Sequence, residues 1–424
     1  MATTGNQQPQ PGSLFRVPSA SARSIYLPEG TGAAITGSLE QGTSSSVPFN
    51  KYDQTTITRA HDLLITIDNS GYTPGTSTLT TSDLFPFNII QNIQVNFEST
   101  FSTINQSGFT AATMQSYRPA RGRKTGFLDQ SNLFVNTGNV ASISSKQQAT
   151  GVIATASPTD STAVINLGIE LAESIEFDLY WELNSAGQPV SAPAADFILV
   201  PQVMSGTTKI ITPVLTFSPM LSTNNAKASP VSATTGTGAF NGGTYSVKLY
   251  KSGWYPSNNP AVEPFFASAW RYTRGEFTVP ISGSTAVIDF ASQLAGQGQL
   301  LSFIAWTWDP TLNSGAGGLV PIDSAHVQSI YLYVGAGIVY RQYNDVSALQ
   351  LEWIRKHGTF PPYGVIPIDL AIDEHGRFTN GAEVLNTLTT AGCQLVINWA
   401  SGYTPAYGTQ VVVGTEILKQ VGAQ

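Results

Sequence analysis

The residues able to do chemistry are few and scattered. The four histidines, His61, His326, His357 and His375, form neither an HExxH nor a His-x-His spacing, so nothing local brings two imidazoles onto one zinc ion. Each is expected as a loop or edge residue. The densest polar cluster is Asp369, Asp373, Glu374, His375 and Arg377. Two carboxylates beside a histidine could hold a cation or share a proton, yet Gly376 and the flanking apolar runs make IDEHGRF read better as a hairpin turn. No GxSxG, Walker-type GxxxxGKS/T or GxGxxG occurs. The lone Cys393 falls in a strand pattern, where a thiol acts as a small hydrophobe. The expectation is a non-enzyme with no catalytic residues, no cofactor and no metal.

The elements that would position any site are β-strands. Strand-like runs are expected at Leu63 to Ile67, Ile89 to Phe97, Val164 to Leu171, Ile175 to Leu183, Phe197 to Val203 and Ile210 to Phe217. A low-complexity stretch, Ser222 to Gly243, then interrupts them. They resume at Tyr245 to Tyr250, Glu276 to Ile281, Ala286 to Phe290, Leu300 to Trp308, Val327 to Tyr340, Gly364 to Ile372, Gln394 to Trp399 and Gln410 to Ile417. Two helices are expected. One covers Ala111 to Tyr117 and is stopped by Pro119. The other covers Asp345 to His357, where Val346, Leu349 and Trp353 recur at i, i+3 and i+7 and Asn344 or Asp345 can cap.

Composition agrees with a β-rich chain. Of 424 residues only 11% are charged, against about 25% in ordinary soluble domains, while Gly (39) and Pro (25) supply many turns. The net charge of −7 gives no basic field, which disfavours genome wrapping by phosphate neutralisation and sequence-specific nucleic-acid binding. A single cysteine excludes an intrachain disulfide framework and suits folding in a reducing compartment. Neither a secretory leader nor a run of 18 apolar residues is evident, so cytoplasmic folding is expected.

An internal repeat carries the organisation. Ile90 to Phe97 parallels Val327 to Val334 at an offset of 237, and the same offset places Ala111 to Tyr117 on Ala348 to Ile354. A third block, Ser174 to Trp181, parallels Gly392 to Trp399 at an offset of 218. The reading is two copies of one β-domain: an arm over residues 1–48, a first domain over 49–240 and a second over 241–424.

This organisation resembles the double jelly-roll major capsid proteins of tailless icosahedral dsDNA viruses, nearest to the tectivirus type whose capsid encloses a membrane. The residues carrying the resemblance are Ser82 to Gln91, Trp353 to Pro362, Ile366 to Leu370 and Leu395 to Asn398. It implies an all-β fold, mainly β with short helices, of two tandem eight-stranded jelly-roll β-sandwiches. It implies homotrimers with a pseudo-hexagonal outline that meet neighbouring trimers in an icosahedral shell, and outward loop towers. On that reading the protein is a bacteriophage-like virion component assembled in the host cytoplasm, with minor capsid and vertex proteins and internal membrane lipids as further partners. The stretch from Ser222 to Pro264 departs from the pattern, as an outer loop or a linker.

Assembly residues follow from charge and exposure. Arg118, Arg121, Arg123 and Lys124 place four of twenty basic residues within seven positions. They could meet anionic lipid headgroups, packaged genome or acidic residues of a neighbouring trimer, or form a solvated loop. In the arm, Arg16 and Arg23 share this ambiguity, and Phe15 and Tyr26 lie in apolar patches that suit a clamp ordered on assembly. Few charges beside many aromatics suit surfaces buried between subunits. The rival readings are a carbohydrate-binding or glycan-cleaving β-sandwich, with Trp254, Trp306 or Trp308 exposed to stack on sugars, and a trimeric virion spike or fibre.

Overall fold

The computed structural model describes residues 23–28, 35–38, 44–46, 57–68, 72–73, 79–84, 87–97, 101–116, 134–135, 164–172, 211–218, 221–222, 231–233, 239–240, 244–255, 270–290, 294, 298–315, 317–335, 337–357, 360–371, 385–386 and 392–420. The expected strands at Ile175 to Leu183 and Phe197 to Val203 lie outside them.

In the second half, eight principal strands follow one another: Trp270–Pro280, Thr285–Asp289, Gln299–Asp309, Val327–Val334, Ile338–Tyr343, Val365–Asp369, Cys393–Trp399 and Gln410–Gln420. They do not pair in chain order. The first, eighth, third and sixth are neighbours in one sheet, and the second, seventh, fourth and fifth in another, all antiparallel. Two four-stranded sheets that exchange the chain in this way and close on one core make a jelly roll. Period-two alternation builds that core: Thr285–Asp289 alternates exposed and buried, and Cys393–Trp399 buries Cys393, Leu395, Ile397 and Trp399. Between the sheets lie Ile288, Phe290, Phe303, Ile330, Leu332, Ile366, Val411 and Val413. The Phe290 ring packs 4.9 Å from Phe303 and edge-on to Phe277 at 5.9 Å. Each such side chain stabilises the fold by roughly 1.5–3 kcal/mol.

The first half repeats the permutation. Its strands are Arg23–Pro28 with Ile35–Ser38, then Ser44–Ser46, Ile57–Asp68, Ile90–Phe97, Phe101–Gln106, Val164–Ala172, Ile211–Phe217 and Thr244–Tyr255. Thr244–Tyr255 lies between the 23–38 strands and Ile57–Asp68, with Val164–Ala172 beyond. Ser44–Ser46, Ile211–Phe217, Ile90–Phe97 and Phe101–Gln106 are neighbours in that order. The chain is therefore two tandem eight-stranded jelly rolls, each with a helix after its fifth strand, at Gly108–Ser116 and Val346–His357.

Several expectations take a different form. The segment expected as an arm, 1–48, contributes strands to both sheets of the first roll. The strand Thr244–Tyr255, beyond the boundary expected at 240, pairs along its length with Ile57–Asp68. Ser222 to Gly243 thus lies between the last two strands of the first roll, and its short strands pair with Leu79–Thr81 and Tyr72–Thr73. The single run expected at Val327 to Tyr340 is a hairpin, because Gly335 and Gly337 take φ of 64° and 89° and turn the chain. The repeat holds for its first two blocks: Phe101–Gln106 and Ile338–Tyr343 also stand 237 residues apart. The third differs, since the place of Cys393–Trp399 beside Val327–Val334 is taken in the first roll by Ile211–Phe217.

The helices differ in character. Val346–His357 buries Val346, Leu349 and Trp353, as the spacing predicts, and Asp345 caps it by accepting from the Ala348 N–H at 2.9 Å. Gly108–Ser116 carries no charge and is buried from Gly108 to Met114. It starts earlier than expected because Ser107 caps it, accepting from the Thr110 N–H at 3.3 Å. Gly108 is required there, since a Cβ would stand 2.3 Å from the Phe87 carbonyl oxygen.

Candidate functional site

Among the described residues no three His, Cys, Asp or Glu side chains gather as metal ligands. His61 lies in Ile57–Asp68, paired on both sides, rather than at an edge. His357, expected in a loop, closes the second helix with a buried side chain stacked 3.7 Å from the Trp353 ring. His326 does stand in a loop, its Nδ1 2.7 Å from Asp323. Asp369 ends a strand and accepts from the Ala371 N–H at 2.9 Å, whereas Asp373, Glu374, His375 and Arg377 lie outside the described residues. Cys393 is buried in its strand, and burial followed by the nearby Asp289 pushes its thiol up to about 12, which keeps it protonated and unreactive.

Of the expected assembly residues, Phe15, Arg16, Arg118, Arg121, Arg123 and Lys124 lie outside the described residues. Arg23 and Tyr26 stand in Arg23–Pro28, opposite Tyr255 and Ser252. Two of the three tryptophans expected to stack on sugars are buried instead, Trp306 and Trp308 at 2% and 3% exposed, while the side chain of Trp254 lies outside the described ones.

Trp306 is buried because the two rolls share a sheet. Phe101–Gln106, the edge strand of the first roll, pairs in parallel with Trp270–Pro280 of the second, at Ile104 opposite Arg274 and Asn105 opposite Gly275. Ten strands thereby form one sheet across the junction. The Gly108–Ser116 helix then covers the outer face of the second roll, which explains why Gln299–Asp309 is buried at nearly every position instead of alternating. Phe109 meets Trp306 edge-on at 5.3 Å, and the Trp306 Nε1–H donates to Thr110 Oγ1 at 3.1 Å. Gly414 permits this approach, since a Cβ there would stand 2.3 Å from Thr110 Cγ2. Glu276 of the second roll accepts from the Ser107 hydroxyl at 2.7 Å and its N–H at 3.1 Å, a carboxylate at the helix N-terminus. Gln106 donates to the Gly275 carbonyl at 3.2 Å.

Buried polar groups line the same face. Arg274, Glu416 and Ser302 stand in register on three adjacent strands, each no more than 1% exposed. Ser302 Oγ donates to Glu416 at 2.5 Å. A second cluster closes the Val346–His357 helix, where buried Lys356 lies 2.8 Å from Glu352 and donates to the Asp369 carbonyl at 2.8 Å. Burial pushes the Glu352 carboxyl up, but Lys356, then Tyr343 and Arg341, outweigh it and hold the group below its ordinary 4.5. Asp309 behaves alike. Burial raises it, while donors at 2.6 Å from Tyr403 and at 2.7 and 2.8 Å from Thr311 bring it below its ordinary 3.8.

These depressed carboxylates stabilise the fold above their ordinary values, and that contribution is lost as pH falls through the folded ones. The thermal midpoint is expected to be flat between about pH 6 and 8 and to fall below about pH 4.5, less so in Asp309→Asn. A midpoint in Asp309→Asn with the same acid dependence as the parent would exclude Asp309 as a source.

No family model matches the sequence, and no curated protein is similar to it. Solved structures are similar in fold. A chain of the atomic structure of Sulfolobus turreted icosahedral virus is 15% identical, with 92% of this chain and 91% of that one covered and a TM-score of 0.50. A chain of the PBCV-1 virus capsid is 8% identical, with 95% of each covered and a TM-score of 0.51. PBCV-1 VP54, fitted into a reconstruction of the virophage Sputnik, is 8% identical, again with 95% of each covered and a TM-score of 0.52. The likeness covers both rolls, and in fold this chain is a double jelly roll of the type found in these viral structures.

Proposed function

We propose that the chain is a major capsid protein whose homotrimers, pseudo-hexagonal in outline, tile an icosahedral shell around an internal membrane and a dsDNA genome. The observation that carries this reading is the shared ten-stranded sheet, which joins two equivalent blocks in one chain. Three copies then present six similar blocks, a shape that fills a hexagonal lattice. The chain acts by assembly and not by catalysis: apolar and aromatic surface is buried within the trimer, and weaker contacts between trimers allow correction before the shell closes. The strand pairings favour a division within residues 256–269, with the first roll beginning near Arg23. Residues before Arg23, with Phe15 and Arg16, reach neighbouring trimers. The basic cluster from Arg118 to Lys124 begins two residues beyond the first helix and meets acidic protein surface or lipid headgroups. Minor capsid and vertex proteins complete the shell, and the finished location is the virion.

Light scattering on the purified protein tests the trimer. The expected mass is about 135 kDa, three chains of 45.1 kDa, without dissociation on dilution. A 45.1 kDa monomer would overturn it.

A further inference from the structure

One hairpin of the second roll holds apolar side chains out into solvent at its tip. Its strands, Val327–Val334 and Ile338–Tyr343, are joined by Gly335, Ala336 and Gly337, and no residue from Val327 to Tyr340 carries a charge. Just past the turn Ile338 is 69% and Val339 44% exposed. The hairpin itself does not demand such a tip. At the offset of 237 the first roll places Glu98, Ser99 and Thr100 between the paired Phe97 and Phe101, so the same connection is made there with polar residues. Polarity is also ordered along the second hairpin. Tyr333 stands opposite Val339, and Tyr340 and Tyr331 follow further from the turn. All three tyrosines are half-buried, and the Tyr331 and Tyr333 rings stack at 5.8 Å. The first charge is Arg341, whose guanidinium lies 5.8 Å from the centre of the Tyr340 ring. From the turn inward the sequence of groups is therefore aliphatic, phenolic and cationic. A bilayer surface changes in the same order, from hydrocarbon through the interface where tyrosine rings settle to the charged headgroups.

We infer that this hairpin tip seats in the surface of a lipid bilayer, with Ile338 and Val339 in the acyl boundary and the tyrosines at headgroup level. The inference deepens the reading above, in which the shell surrounds a membrane, and rests on it. Two aliphatic side chains make a weak anchor alone. Threefold symmetry puts three copies of the tip on one face of the trimer, and linked contacts of this kind reinforce one another. Because the tip is uncharged, its hold on lipid depends little on salt or on headgroup charge. That separates it from a contact made by the Arg118 to Lys124 cluster, which salt would screen.

The test is flotation of the full-length protein through a density gradient with vesicles of phosphatidylcholine, alone or mixed with phosphatidylglycerol, at low and at high salt. The parent is compared with an Ile338→Asp/Val339→Asp variant and with a Val287→Asp/Tyr407→Asp control, which adds the same charge at positions exposed elsewhere on the second roll. Circular dichroism checks that all three fold, and light scattering is expected to give each a mass of about 135 kDa. Parent and control should float with both kinds of vesicle at both salt concentrations, and the Ile338→Asp/Val339→Asp variant should stay at the bottom. A trimeric parent that does not float overturns the inference and leaves the capsid reading standing. Flotation of that variant alongside the parent shows that the contact lies elsewhere. Flotation of the parent only with phosphatidylglycerol, and lost at high salt, assigns the contact to basic residues and overturns the tip. A folded variant that no longer forms trimers shows that the hairpin holds protein and not lipid. Failure of the trimeric reading shows separately, as a parent mass of 45.1 kDa.

Discussion

Glu416→Ala is expected to destabilise the chain by about 3–5 kcal/mol, although the residue touches neither solvent nor the core between the sheets. Glu416 is fully buried on the outer face of Gln410–Gln420, opposite Arg274 on one neighbouring strand and Ser302 on the other. Directly opposed side chains on adjacent strands have Cβ atoms about 4.5–5.5 Å apart, so two oppositely charged residues are buried side by side on this face. Two buried charges of opposite sign stabilise little by their meeting, because both are stripped of water. Removing one leaves the other buried without its counter-charge, and that is the large term. The alanine variant also loses the acceptor for Ser302 at 2.5 Å. Glu416→Gln keeps an acceptor and the volume, so it should fall between parent and alanine. Urea denaturation followed by tryptophan fluorescence measures the difference. A Glu416→Ala midpoint within error of the parent would show that the Arg274, Glu416 and Ser302 ladder does not support the junction.

Trp306→Ala is expected to cost about 3–5 kcal/mol as well, by a different route. The indole is 2% exposed, packs edge-on against Phe109 of the first roll, and donates to Thr110. Alanine leaves a cavity between the rolls that the surroundings cannot fill, since the Gly108–Ser116 helix is held at its N-terminus by Glu276. It also leaves the buried Thr110 hydroxyl without this donor. Trp306→Phe restores most of the volume but not the donor, and should recover part of the loss. The variants also separate the readings of this residue. A sugar-binding tryptophan would lose ligand affinity with little change in stability, and a junction tryptophan does the reverse. Unchanged stability in Trp306→Ala would remove the junction role.

Some of this was legible in the sequence and some was not, for physical reasons. Strand Thr285–Asp289 announces itself by alternation, and helix Val346–His357 by apolar spacing with a capping Asp345, because both signals are local. The offset of 237 was readable because the two strands of the hairpin keep their lengths and spacing in both rolls. The division between rolls was not, because Thr244–Tyr255 follows a turn-rich stretch and joins strands far back in the chain. Pairing of that kind leaves no mark on local composition. The burial of Trp306 and Glu416 was equally hidden. Alternation puts both on the face of their sheet away from its core, where solvent is the ordinary neighbour, and only the helix of the other roll changes that. His357 misled for a related reason: at a helix end it looks exposed, and stacking on Trp353 buries it.

The measurement that tests the central claim most directly is electron microscopy of the purified full-length protein, with class averages viewed down the symmetry axis. The account predicts a threefold particle with six lobes alternating between two similar kinds, one for each roll. A particle with three lobes, or an elongated shaft, would contradict it, because neither can be made from three chains that each present two equivalent blocks side by side.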